Sequence, residues 1–279
     1  MLLPLAEKSG DPQVVGLVHS ELSQLFIFQE RFTEALPHID ESYRIYQQQG
    51  INIRLPYALL RRARALWQLG DYAGAQSALN DGAFAGAQMD VEAEATVLES
   101  EILLSQGQYR DAIVKLRKRI ANPGIEAPEL FISALRISCE ALTLSGSPEQ
   151  ARAFCRRSVD DARRLQKPRQ LADSLLALSE VESSLGNWKE AQTAAAEAAT
   201  ALAGQDRPET EWRALTELSR SMQANGEQRP SVDAASRANE KLLLLKSYWG
   251  ETNYNKYLTR PDINRMISRL NKLLNRNQR

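Results

Sequence analysis

The stretch Leu69-Gly70-Asp71-Tyr72-Ala73-Gly74-Ala75 returns as Gln106-Gly107-Gln108-Tyr109-Arg110-Asp111-Ala112, and again as Leu185-Gly186-Asn187-Trp188-Lys189-Glu190-Ala191. Each copy holds a glycine, an aromatic two positions later and an alanine three positions after that. Glycine takes the left-handed conformation that ends a helix without steric cost. The aromatic then opens a second helix, and the alanine presents a small face on which two helix backbones can approach closely. Weaker copies stand at Glu30-Arg31-Phe32-Thr33-Glu34-Ala35, at Gly146-Ser147-Pro148-Glu149-Gln150-Ala151 and from Gly226 to Ser231. The marker positions 30, 70, 107, 146, 186 and 226 lie 40, 37, 39, 40 and 40 residues apart. Spacing this regular predicts six tandem helix hairpins stacked in a row, because a single hairpin cannot bury its apolar face alone.

The sequence on either side of each turn agrees. Leu171, Leu175, Leu178, Val181 and Leu185 recur with a helical period before one turn, and Ala191, Ala194, Ala195 and Ala198 do so after it. No segment alternates as a strand would. Pro56, Pro128 and Pro208 fall near the starts of first helices, where a missing amide costs little. Ala75, Ala112, Ala151 and Ala191 are expected at the closest helix contacts, where a larger side chain would overpack.

Composition bounds the function. The 279 residues are 43% hydrophobic and 25% charged, as in an ordinary globular protein. Thirty-five basic residues balance thirty-five acidic ones, so no whole-molecule field favours nucleic acid or an anionic membrane. Cys139 and Cys155 are the only cysteines, too few for a disulfide-stapled scaffold or a four-cysteine zinc site. They read as buried free thiols on the two helices of one hairpin, which fits a reducing compartment, with a redox pair or a reactive thiol as the alternatives. The opening Met1-Leu2-Leu3-Pro4-Leu5-Ala6-Glu7-Lys8 has no signal-peptide pattern and no run reaches the length of a membrane span, so the expected location is the cytoplasm. Residues 2–9 parallel Asp161-Ala162-Arg163-Arg164-Leu165-Gln166 at the close of the fourth hairpin, which reads as a chain opening in mid-repeat.

With small residues at a fixed offset before the turns (Ala63, Ser100, Cys139, Ser179, Ser219), the pattern resembles the tetratricopeptide repeat in a slightly elongated form of about forty residues. The resemblance covers roughly residues 13–249, with departures at Pro148 and Gln228, where an aromatic belongs, and at Ser231, which replaces the alanine. It implies an all-α, right-handed α-solenoid of about six helix-turn-helix repeats. Residues 1–12 would then end a helix of a preceding partial repeat, 13–249 would form the six repeats, and 250–279 a connector and amphipathic capping helix. In that final helix Ile263, Met266, Ile267, Leu270, Leu273 and Leu274 form one stripe, with Arg265, Arg269, Lys272 and Arg276 largely off it. The ending, from Trp249-Gly250-Glu251 through Tyr254, Tyr257 and Leu258 to Asp262, resembles the last segment of repeat arrays in large bacterial signalling proteins, serine/threonine kinases among them.

The family resemblance also implies where a partner would bind. Its inner, concave wall is lined by first-helix residues off the packed stripe, which here selects Tyr57, Leu60, Arg64 and Trp67, then Glu94, Val97 and Glu101. The next repeats supply Ser133, Arg136 and Glu140, then Asp173, Leu176 and Glu180, then Arg213, Thr216 and Arg220. The middle of the wall is expected to be acidic. One subgroup clamps a partner's terminal carboxylate with Lys and Asn, whereas the corresponding positions here are Leu60, Arg61, Val97, Leu98, Leu176 and Ala177. His19 and His38 stand in no nucleophile or metal-ligand spacing and read as packing or surface residues. No phosphate-cradling loop occurs. The expectation is therefore a non-enzymatic scaffold or adaptor without cofactor or metal, binding a peptide or helix in its groove. A regulatory arm acting in cis on an enzyme such as a kinase is the alternative. A homo-oligomer through the array's ends remains compatible, the basic tail from Arg260 reads as a solvated face rather than a nucleic-acid contact, and Tyr248, Trp249, Tyr254 and Tyr257 as packing for the final helix.

Overall fold

The computed structural model describes residues 2–84, 87–121 and 127–275, so Arg276 and the tail beyond it lie outside the described residues. Every regular element among the described residues is helical. The chain divides into two units, one of residues 1–98 with 246–257, the other of 99–245 with 258–279.

The first unit contains α1 (Leu2–Ser9), α2 (Pro12–Phe28), α3 (Phe32–Gln48), α4 (Leu55–Gln68), α5 (Tyr72–Leu79) and the start of α6 (Met89–Ser105). Asp11 caps α2 by accepting from the Gln13 amide at 2.8 Å, and Asp71 caps α5 by accepting from the Gly74 amide at 2.9 Å. At the α4–α5 turn Gly70 sits at φ 84°, and the amides of Gly70 and Asp71 return to the carbonyls of Trp67 and Leu66. That arrangement satisfies the orphan carbonyls of α4. Glu30 makes the same kind of turn between α2 and α3 at φ 58° without being a glycine. Its carbonyl accepts from the Trp249 indole nitrogen at 2.6 Å. Trp249 belongs to α13 (Gln228–Leu258), which is broken at Gly250 (φ 74°, ψ 161°) and whose later residues join the first unit. There Trp249 packs on Phe32 and edge-on against Tyr257, and Thr33 donates to the Tyr248 carbonyl at 2.7 Å. The aromatics expected to hold the final helix thus cover the turns of the first hairpins.

The second unit runs from the end of α6 through α7 (Tyr109–Ala121), α8 (Pro128–Leu144), α9 (Pro148–Arg164), α10 (Pro168–Ser184), α11 (Trp188–Ala201), α12 (Pro208–Ala224) and the first part of α13 to α14 (Pro261–Asn275). Proline stands at the opening of α8, α9, α10 and α12. Successive helices pack antiparallel as hairpins, and their closest contacts are the small residues of the repeat. Ala112, Ala151 and Ala191 are fully buried, as are Ser100, Cys139, Ser179 and Ser219 on the facing helices. Ser179 donates to the Ala191 carbonyl at 2.9 Å and Ser219 to the Ser231 carbonyl at 2.8 Å, so each buried hydroxyl is satisfied across the contact. Expected as a cap, α14 lies against α12 and reaches α10 as well, with Ile263, Met266, Leu270 and Leu273 buried.

One expectation is corrected. Cys139 and Cys155 are not free thiols but a disulfide, with their Cα atoms 5.4 Å apart. The same close helix contact that selects small residues brings the two sulfurs together, within a cluster that includes Ala151, Ala177 and Val181. Pairing withdraws the cysteine argument for a reducing compartment, since disulfides persist in oxidising ones. Among the described residues no helix is long and apolar enough to cross a membrane.

Two stability outcomes follow. Replacing Ala151 or Ala191 by leucine should cost about 1–3 kcal/mol in urea unfolding through overpacking, whereas the same change at the exposed Ala203 should be near neutral. Gly146→Ala should cost about 1–2 kcal/mol from its left-handed backbone alone. Gly70→Ala should cost distinctly more, because its new Cβ would stand 2.7 Å from the Lys256 carbonyl oxygen, while nothing lies within 4 Å of the corresponding point at Gly146.

Candidate protein-interaction surface

The residues assigned to the wall divide between the units and behave differently in each. In the second unit they meet one another. The Arg136 guanidinium lies between the carboxylates of Glu101 and Glu140, the latter at 2.6 Å, and all three side chains are largely buried. Burial opposes the Arg136 charge, but Glu140, Glu101 and Asp173 outweigh it and hold the guanidinium firmly protonated. Burial pushes the Glu140 carboxyl up against the pull of Arg136 and Arg213. Asp173 is half-buried, and against the burial that would raise it Arg207, Arg136, Arg169 and Arg213 together hold its carboxyl below the usual range. Arg213 pairs with Glu209 at 3.5 Å, and Arg220 with Glu217 at 3.1 Å while lying over the Trp188 ring.

Glu180 is met by the chain's own last helix. Arg269 of α14 reaches it at 2.9 Å and Glu217 at 2.8 Å, and Arg265 approaches Glu180 at 3.7 Å. Against the burial that would raise it, these arginines hold the Glu180 carboxyl low. The stretch of wall expected to be acidic is therefore matched by arginines of the same unit, and part of it faces α14.

In the first unit the wall is more open. Leu60 and Trp67 are buried and pack the hairpins, as are Val97 in this unit and Leu176 and Thr216 in the other. Arg64 approaches Glu94 at 3.9 Å. The Tyr57 hydroxyl donates to Asp90 at 3.0 Å, and burial together with that carboxylate raises its pKa. Beside Tyr57 opens a cavity of about 320 Å³ lined by Ser20, Glu21, Tyr46, Ile53, Arg54, Tyr57, Arg61 and Gln88. A second cavity of about 370 Å³ shares Ile53 and Gln88 with it and is otherwise mostly apolar, with Pro56, Ala83, Ala87 and Val91 in its lining.

Arg61 decides the character of the first cavity. Its guanidinium donates to the Ser20 hydroxyl and carbonyl and, at 3.0 Å, to the Gln24 side chain. No carboxylate lies within ion-pairing distance of it among the described residues. Burial accordingly dominates and lowers its pKa, with Glu21 and Glu94 acting only from farther away and Arg54 adding to the effect. Arg54 lies over the Tyr46 ring, 5.8 Å from its centre, and is exposed. Two guanidinium groups thus line one cavity, the buried one held by neutral partners. Sequence reasoning passed over Arg54, which lies in a short connecting turn, and met Arg61 only as a residue that does not match the family's carboxylate clamp.

The second unit has an opening of its own on another side of its hairpins, about 460 Å³ between α9, α10 and α11. Glu182 lies at its edge, buried and held bidentate by Arg152 at 2.8 Å, with Asn187 donating to it as well. Arg156 also approaches Glu182, at 3.5 Å, and Arg163 pairs with Glu197 at 2.7 Å, while Lys189 and Glu190 line the opening as well. Among the described residues no group of three or more His, Cys, Asp or Glu side chains is arranged to hold a metal ion.

No protein-family model and no curated protein matches the sequence. Among solved structures the chain is similar to a Rap protein complexed with competence and sporulation factor, with a TM-score of 0.59 at 15% identity over 94% of this chain and 87% of that one. It is also similar to BtubC (BKLC) from P. vanneervenii, with a TM-score of 0.54 at 15% identity over 79% of this chain and 93% of that one. At this identity the likeness speaks for the fold, which is the all-α repeat solenoid of tetratricopeptide-like proteins.

Proposed function

We propose that the chain is a protein-interaction scaffold that receives an extended peptide or helix along the first helices of its repeats, with the first unit providing the anchoring site. The carrying observation is Arg61: a half-buried guanidinium with hydroxyl, carbonyl and amide partners only, lining a cavity large enough for a side chain. A buried charge without a counter-ion is costly, and an incoming carboxylate or phosphate would relieve that cost. The adjoining cavity around Pro56 and Val91 suits an apolar neighbour. An acidic residue next to an apolar one is thus the partner motif with the best fit. The Rap neighbour, whose fold is similar over most of this chain, is complexed with a factor, which supports reading the fold as a receptor.

The narrower setting, the C-terminal part of a bacterial multidomain regulator, belongs to the same proposal and rests on the resemblance of residues 249–262 to the ends of such arrays. Neither structural neighbour is described as a kinase.

The intact chain, used to select peptides from a random display library, should enrich sequences carrying Asp or Glu beside an apolar residue. Against the selected peptides, Arg61→Met should weaken binding at least about tenfold, equivalent to some 1.4 kcal/mol of a charge-assisted hydrogen bond, with the helical circular dichroism unchanged. Selected peptides that bind Arg61→Met and Arg54→Ser as well as the original would overturn the anchoring role.

Charge reversal on the second unit's wall should act on folding. Glu140→Lys would leave Arg136 facing a cation in a buried site, so the urea midpoint should fall by the equivalent of about 3 kcal/mol, well beyond the effect of reversing the exposed Glu240.

A further inference from the structure

Packing of α2 against α3 brings together two side chains that stand nineteen positions apart. The Nδ1 atoms of His19 and His38 are 2.8 Å apart. At that separation one imidazole donates its Nδ1 proton and the other accepts it, so two ring nitrogens converge on one point. Neither ring makes another hydrogen bond within the protein among the described residues. The plane of His38 is fixed by stacking on Phe26, on whose ring Arg31 in turn lies at 5.0 Å.

We propose that His19 and His38 form a bidentate site for a divalent ion of the zinc, copper and nickel class. Zinc binds imidazole nitrogen at about 2.0–2.1 Å in tetrahedral geometry, which places two such nitrogens about 3.3 Å apart. The rings need to part by only about half an ångström, a small movement for two half-exposed side chains on different helices. Imidazole selects this class of ion over magnesium or calcium, which prefer oxygen. The shared proton is not lost at neutral pH. The donor ring carries it on Nε2 instead of Nδ1, and both rings then present Nδ1 lone pairs to the metal.

The surroundings favour the ligating state. Burial disfavours the charged form of both rings, and a charge on His19 would further disfavour one on His38. The charged groups facing His19 are Glu7 of α1 with Glu41 and Arg44 of α3, and the group facing His38 is Glu34 of α3. Glu41 and Glu34 are held by Arg44 and Arg31 at 2.9 and 2.6 Å, so they contribute negative potential rather than ligands. No third protein ligand joins the pair among the described residues. Water fills the remaining positions, and the site is weaker than a four-ligand structural zinc site. Because a metal requires neutral imidazole, affinity declines only as pH falls below the usual imidazole value near 6.5, where these rings take up protons.

The test is calorimetric titration of the intact chain with zinc chloride at pH 7.5, with magnesium chloride as control. One equivalent of zinc should bind and magnesium should not. His19→Gln and His38→Gln should each weaken zinc binding at least about tenfold. Copper(II) added to the unaltered chain should show two nitrogen ligands by electron paramagnetic resonance, a readout that does not depend on the variants folding. Zinc binding unchanged in the double glutamine variant, no zinc binding at all, or a copper spectrum without two nitrogen ligands would each overturn the site.

Discussion

Two helices of a hairpin can come as close as these do only where neither carries a large side chain at the crossing. That constraint recurs through the molecule as pairs of buried small residues, Ser179 opposite Ala191 and Ser219 opposite Ser231 among them. The distance is short enough for a side-chain hydroxyl on one helix to reach a backbone carbonyl on the other. A serine there is satisfied without water, and an alanine opposite it leaves room for the bond. The disulfide is a covalent version of the same contact, since Cys139 occupies the small position of its hairpin and Cys155 lies one turn beyond Ala151. The repeat spacing, the turn glycines and the order of the helices all serve to bring these positions together.

Charge is handled in two ways within this frame. In the second unit, acids on the first helices meet arginines from neighbouring repeats or from α14, so the surface that a repeat protein would offer to a partner is largely matched from within. A buried ion pair of this kind adds little net stability, because desolvation offsets its attraction, yet removing one partner is costly. In the first unit Arg61 has no such match, and its cost is offset only by neutral hydrogen bonds. Under the proposed function an anionic group would bind at this half-buried cation by replacing missing interactions instead of breaking existing ones.

The sequence made the repeat legible because glycine, aromatic and alanine are each required locally at a turn, within a handful of neighbouring residues. The buried alanines and the upstream small residues were readable for the same reason. Pairing across repeats was not: Arg136 meets Glu101 across 35 positions, and the partners of Glu180 come from the last helix. The wall could be named by its positions, while its electrostatic state depended on contacts that no local pattern encodes. Cys139 and Cys155 looked like small packing residues, as they are, and the bond between them followed from the close approach of their helices. His19 and His38 offered no motif, because their approach depends on the packing of two helices and not on spacing within one.

Trp249 binds the carbonyl of a residue 219 positions earlier, and Thr33 reaches across 215 positions to Tyr248. The hairpin of α2 and α3 therefore lacks its covering aromatics until residues 215 and 219 positions further on have been made. During synthesis the turns at Glu30 and Gly70 stay open, and long-range closures of this type are slow. Over that stretch of elongation the first unit is unfinished, which leaves its apolar turns open to chaperone contact.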